Sequence, residues 1–353
     1  MKKALIGGLK VLVPLALGLW LVVYFYRQLD EGQRTELFAA FRRANWWWLG
    51  LTVVLGWGSH LVRAWRWRYL LGHMGHRVGL WNAYNATMTG YFMNMLLPRA
   101  GEASRAVMMQ RAEGVSFEKG FGTILAERAV DMLMLVAIAA LTLALQLDKL
   151  DLFRTRIETF RAGQGGADAG TGHGDWTWWV ATVLVLAVLG GGYLVLTRPA
   201  LRARTKQAAR GFYEGLRSVV KTKDKWAFAL HTLLIWALYV GMFWIGFLAL
   251  PSTATVPFAG VMAGFIAGSV GIVLVQGGIG VYPAFVALIV SVYMSAPEGG
   301  GLLRPDALAM GWLLWTAQTS MIILLGGLSL LLISRQRHVP STPAPRATEA
   351  PSA

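Results

Sequence analysis

Long apolar runs at 4–26, 46–62, 81–97, 120–147, 176–197, 226–250, 256–275, 281–295 and 307–333 dominate the chain. Crossing a bilayer takes about 20 residues of α-helix. Lipid offers nothing to an unpaired backbone N–H or C=O, so such runs cross as helices or as closed barrels. Their length and lack of alternation predict an all-α fold, a polytopic membrane helix bundle. Hydrophobic residues make up 56% of the chain and charged residues 14%, against about 45–50% and 25% in soluble domains. The net charge of +15 would suggest nucleic acid for a soluble protein. Here it predicts basic loops facing anionic lipid headgroups, with no nucleic-acid partner. There are no cysteines, which excludes disulfides, thiolate metal sites and cysteine nucleophiles.

The N-terminal run is interrupted by Lys10 and reaches Tyr26 without a small-residue cleavage site, so it reads as a retained first helix. Two runs are short. The 81–97 segment carries Asn82, Asn85 and Asn94 and stops at Pro98; the 281–295 segment is joined to its predecessor through QGGIGVYP at 276–283. Loop 198–225 holds Arg198, Arg202, Arg204, Lys206, Arg210, Arg217, Lys221, Lys223 and Lys225 against Glu214 and Asp224, which predicts a cytoplasmic position. Its apolar residues recur at near-helical spacing, so it reads as an amphipathic helix on anionic lipid headgroups. If every run crossed once, the MKK terminus would then lie outside. If 81–97 enters and returns, the N-terminus, loops 63–80, 98–119 and 198–225, and the Arg335/Arg337 tail all lie in the cytoplasm. The expected architecture is about eight spanning helices plus re-entrant or broken segments near 81–105 and 270–283, in a multi-pass cell-membrane protein with both termini cytoplasmic. One transmembrane domain, 1–335, would contain a flexible Gly-rich loop at 163–174, without a P-loop lysine, and precede a disordered tail at 336–353.

Charge falls at unusual places. In NMLLPRAGEASR (94–105), Pro98 interrupts a helix and Gly101 permits close backbone approach. If 99–105 is helical, Arg99, Glu102 and Arg105 share one face, a plus–minus–plus array whose glutamate would orient phosphate-binding arginines. The alternative is an interfacial salt-bridge cluster. Glu127, Arg128 and Asp131 share a wall of the next helix, with Arg128 as partner of the two acids. A membrane boundary near Gly120 puts Asp131 about 16 Å deep, where an ionised carboxylate costs about 2.5–3.5 kcal/mol unless it faces a partner or polar cavity. Gln276, Gly277, Gly278, Gly280 and Tyr282 mark a helix break with exposed amides, or small residues that let helices pack closely. In HLVRAWRWRYLL (60–71), Arg63 and Arg66 share a face beside Trp65 and Trp67, a pattern of interfacial anchors unless the arginines turn inward. His73 and His76 lack further ligands, and neither HExxH nor G-x-S-x-G occurs, so no metal, cofactor or catalytic set is expected.

Asn94, the PRAGE-x-x-R of Pro98 to Arg105, the ERAVD of Glu127 to Asp131, the GGIG of 277–280 and, ahead of them in the chain, the R-x-x-RW of Arg63 to Trp67 resemble the flippase-like transmembrane region of lysyl-phosphatidylglycerol synthases. The resemblance covers roughly residues 5 to 335. Many relatives have proline before the Gly-Gly and an acid after the motif, where this sequence has Gln276 and Tyr282. The resemblance implies a stand-alone member without the cytosolic synthetase, hence no aminoacyl transfer, and a translocase for a phospholipid or lipid-linked headgroup. Arg99 and Arg105 would contact phosphate, with the remaining residues of these motifs shaping the site. A membrane-embedded transferase using Glu102 or Asp131 as base, and a non-transporting partner of a glycosyltransferase or synthetase, are the rival readings. A homodimer or a partner enzyme is compatible with the sequence.

Overall fold

The computed structural model describes residues 29–97, 100–147, 219–294 and 303–336, with scattered positions at 16–27 and 197–217. The segments 163–174 and 337–353, most of the 176–197 run, and Pro98 and Arg99 lie outside the described residues.

All described elements are helical. α1 (Glu31–Arg43) begins at a capping box in which Asp30 accepts from the Gln33 N–H and the Gln33 side chain accepts from the Asp30 N–H. α2 (Trp46–His73) starts at Asn45, whose side chain accepts from the Trp47 N–H. There follow α3 (Leu80–Leu96), α4 (Ala100–Glu113), α5 (Phe117–Gln146), α6 (Lys225–Phe247), the single turn α7 (Pro251–Ala254), α8 (Phe258–Leu274), α9 (Val281–Val292) and α10 (Pro305–Ser334). α5, α6 and α10 are long and apolar enough to cross a bilayer. α2 has 28 residues, ample length, but its arginines dilute its hydropathy.

Hydrogen bonds between chain ends define two faces. On the near face, the Gly79 N–H donates to Glu113 Oε1 at 2.8 Å, the Gln336 amide to Asn82 Oδ1 at 2.9 Å, and Arg111 to Ser334 O at 2.9 Å. Phe228, near the start of α6, packs there with Leu70. On the far face, the Asn45 N–H donates to Ala249 O at 2.8 Å, Gln146 Nε2 to Ala259 O at 2.8 Å, and the Arg304 N–H to Ser291 Oγ at 2.8 Å. The Tyr293 hydroxyl closes the same end by donating to Gln146 Oε1.

Both interrupted segments are helical hairpins. α3 enters from the near face and α4 returns to it; α8 enters from the far face and α9 returns. The chain therefore runs twice through the order long helix, hairpin, long helix: α2, α3–α4, α5, then α6, α8–α9, α10, with the second set inverted. The two re-entrant breaks expected from sequence are present. The expected loop 98–119, however, is largely the limb α4. Its polar residues hid it from a hydropathy reading; Glu102 and Arg105 meet α5, while Glu113 and Arg111 bond to the Gly79–Asn82 start of α3 and to the end of α10.

Each hairpin needs glycine for a different reason. α3 and α4 cross so closely at Gly90 and Gly101 that a Cβ on Gly101 would collide with Gly90 O, while the Gly101 N–H donates to Asn94 Oδ1 at 2.8 Å. The α8–α9 tip bends through positive φ at Gly277 (69°), Gly278 (67°) and Gly280 (72°), a region costly for other residues. Trp315 of α10 holds this tip by donating its indole N–H to Gly277 O at 2.7 Å, and the tip packs against α3. The deep segments of the two halves thus touch inside the bundle.

Candidate functional site

α5 places Glu127 and Asp131 one turn apart, and arginines from two other helices meet them. Arg63 Nη1 of α2 donates to Asp131 Oδ2 at 2.6 Å. Arg66, also on α2, reaches Asp131 Oδ1 at 2.9 Å and Glu127 Oε1 at 3.4 Å. Arg105 Nη1 of α4 lies 2.7 Å from Glu127 Oε2. α6 adds neutral partners: Thr232 Oγ1 accepts from Arg66 at 3.0 Å and the Tyr239 hydroxyl from Arg63 at 3.3 Å. Arg66 is 0% and Glu127 1% exposed. At 1.5 Å per residue, Arg66, Arg105 and Arg63 lie roughly 10–15 Å along their helices from the near-face ends. Buried charge at that depth survives only if paired and hydrogen-bonded. Here three guanidiniums share two carboxylates, which leaves one surplus positive charge.

Arg105 carries that surplus toward an opening. Its guanidinium lies 3.8 Å from the centroid of the Trp67 ring. Trp67 is held in turn, its indole N–H donating to Thr123 Oγ1 at 2.8 Å and the Thr123 hydroxyl to Gly120 O at 2.7 Å. Arg105 Nε and Nη2 are buried without a hydrogen-bond partner. Arg105 borders a narrow cleft lined also by Thr87, Tyr91, Asn94, Glu102 and Arg128. At its rim Arg128 Nη2 and Glu102 Oε1 pair across α4 and α5 at 3.0 Å, with side chains 41% and 25% exposed.

The structure brings together Arg63, Arg66, Arg105, Glu127 and Asp131, with Asn94, Gly101, Glu102 and Arg128 around the adjoining cleft. The pairing differs from the expected one. Glu102 holds Arg128 rather than an arginine of its own helix, and Arg128 serves neither Glu127 nor Asp131. Successive residues point about 100° apart on a helix, so Arg128 turns to the cleft rim and Glu102 while Glu127 and Asp131 face the three buried arginines. Arg63 and Arg66 turn inward and are not interfacial anchors. Arg99 and the Gln276 side chain lie outside the described residues. Gly277, Gly278, Gly280 and Tyr282 do not line this cleft; Gly280 borders a second cavity, and Tyr282 packs on Gly268 and Gly271. Trp67 entered the sequence reading only as a motif residue and a candidate interfacial anchor, and Thr123, Tyr91, Thr232 and Tyr239 were not selected from sequence. Thr232 and Tyr239 left a signal: two polar groups seven residues apart on one face of an apolar helix. Among the described residues no group of acids and histidines suits a metal ion.

Two oppositely inserted hairpins, with a buried charge network beside the first, define a polytopic helical membrane protein built around a polar cleft. The chain belongs to the family described as the lysylphosphatidylglycerol synthase TM region, whose model matches residues 11–314. It is thus a membrane protein of a family tied to lipid metabolism. No curated protein and no solved structure matches it.

Breaking the buried network should cost far more than breaking the rim. Glu127→Gln leaves Arg105 without a carboxylate and Arg66 with Asp131 alone, and should lower stability by about 3–5 kcal/mol. Glu102→Gln should cost about 1 kcal/mol or less. Unfolding of the detergent-solubilised variants measures both, and equal losses would contradict the burial contrast.

Proposed function

We propose that the protein moves a phospholipid, or a lipid-linked headgroup, between the two leaflets of its membrane. The observation that carries this reading is Arg105, a buried guanidinium with two unpartnered nitrogens beside a cleft at membrane depth. A planar fork of donors suits a phosphate oxygen better than any other group abundant in a bilayer. The acyl chains need no polar path, so only the headgroup requires one.

The site divides into fixed and movable parts. Arg63, Arg66, Glu127 and Asp131 tie α2, α5 and α6 together. The Glu102–Arg128 pair closes the cleft mouth and is partly hydrated, so parting it costs about 1 kcal/mol or less. Inverted hairpins are the architecture in which one half rocks against the other around a central site. A headgroup that displaces the rim pair finds Arg105 behind it.

In vesicles holding a fluorescent phospholipid in both leaflets, the reconstituted protein should expose the inner pool to an external quencher. Arg105→Gln should slow that exchange tenfold or more, on the order of one charge-assisted hydrogen bond. Exchange no faster than in protein-free vesicles would sink the reading, and chemically altered lipid would replace it with a transferase.

The same reading puts the near face in the cytoplasm. Arg77, Lys119, Lys221, Lys223, Lys225 and Arg335 are exposed there against Glu113, Glu118 and Asp224, the imbalance expected of inner loops. The chain has no native cysteine, so single thiols report sidedness directly. In intact cells an impermeant maleimide should label Thr255→Cys and spare Lys119→Cys; the reverse pattern inverts the topology.

A further inference from the structure

A second cavity of about 60 Å³ lies toward the far face, with Leu21, Val22, Tyr26, Leu37, Ala284 and Leu308 among its lining residues. Gly280, at the tip of the second hairpin, also borders it. We propose that this cavity and the charged rim beside it form a docking site for a zwitterionic phospholipid of the far-face leaflet. An acyl chain would occupy the cavity, its phosphate meeting Arg304 and its ammonium Glu36. This goes beyond translocation, and its test does not depend on transport.

The lining is mostly apolar and, apart from Leu37 of α1, belongs to the bundle, where acyl chains are the abundant apolar occupant. It cannot hold a whole lipid, so the headgroup must sit at the rim. Leu308 stands one helical turn inward from Arg304, its N–H donating to Arg304 O at 3.1 Å. Leu37 adjoins Glu36 on α1. Tyr26 lines the cavity and carries Arg34, whose Nε donates to Tyr26 O at 3.3 Å and whose guanidinium lies 4.9 Å from the ring centroid. Charged groups therefore stand next to apolar lining residues on both α1 and α10.

Arg304 is loosely held for a side chain only 15% exposed. Its Nη2 lies 3.8 Å from both Glu36 Oε1 and Asp306 Oδ2, too far for a hydrogen bond, and its buried Nε has no partner. A guanidinium with donors to spare, one helical turn from the lining of an apolar cavity, fits a phosphate. The sign of the rim selects the headgroup. Arg34 and Arg304 are balanced by Glu36 and Asp306, so an anionic headgroup gains little net attraction. One bearing phosphate and ammonium can satisfy both signs.

The full chain, reconstituted in nanodiscs, can be exposed to phosphatidylethanolamine carrying a diazirine near an acyl terminus, with a matched phosphatidylglycerol probe in parallel. The ethanolamine probe should label Leu37, Ala284, Leu308 or Trp312 more strongly than the glycerol probe. Arg304→Gln should cut that labelling about tenfold, as loss of a charge-assisted hydrogen bond does. Leu308→Trp should fill the cavity and remove label from Leu37 and Ala284. Leu233 and Trp244, 58% and 51% exposed on α6, should remain labelled by both probes and report a folded protein. If Leu308→Trp disturbs folding, Arg304→Gln at the rim decides. Equal cavity labelling by both probes, labelling indifferent to Arg304→Gln, or label confined to Leu233 and Trp244 overturns the proposal.

Discussion

The two carboxylates of α5 are the constraint on which the near half of the bundle depends. Glu127 and Asp131 are intelligible inside a membrane only because Arg63, Arg66 and Arg105 converge on them, and that convergence fixes how α2 and α4 stand against α5. Thr232 and Tyr239 extend the same network to α6. Lipid tails are as apolar as leucine side chains, so burial of apolar surface alone gives helices in a bilayer little specific reason to associate. Charge pairing and close backbone contact supply it, the latter where Gly90 meets Gly101. The surplus guanidinium is then a consequence of the packing: Arg105 shares Glu127 with Arg66 and keeps two nitrogens unspent.

The two hairpins do different work. The first brings Asn94, Glu102 and Arg105 to the charge network and shapes the cleft. The second has no charge on its limbs and ends in a glycine turn anchored by Trp315. That turn packs against α3 and borders the far-face cavity, so it separates a polar compartment from an apolar one. Inverted insertion gives each leaflet its own hairpin.

Much of this was legible in the sequence, and the parts that were not share a cause. The spanning helices announce themselves by hydropathy, and the second break by three glycines within four residues. Glu127 and Asp131 declare a common face by their spacing. The limb α4 and the surface helix α1 escaped because both are mixed in polarity and neither is long enough to read as a span. The pairing of charges escaped for a stronger reason. Arg66 and Glu127 are 61 residues apart, and Arg63 and Asp131 68, while local spacing offered Arg128 as a nearer partner. Helical periodicity says which residues share a face and leaves open which helix that face will meet. The same gap made Trp65 and Trp67, beside Arg63 and Arg66, read as interfacial anchors, and it grouped the glycine turn with a cleft that it does not line.

The central claim is that phosphate reaches Arg105. A cryo-electron microscopy structure of the protein in lipid nanodiscs tests it most directly. The account predicts lipid density between α4 and α5, with a phosphate oxygen within hydrogen-bonding distance of Arg105 Nη2 and the Glu102–Arg128 pair parted. Lipid phosphates confined to the two faces, with Arg105 turned to a second protein carboxylate and no density in the cleft, would contradict it.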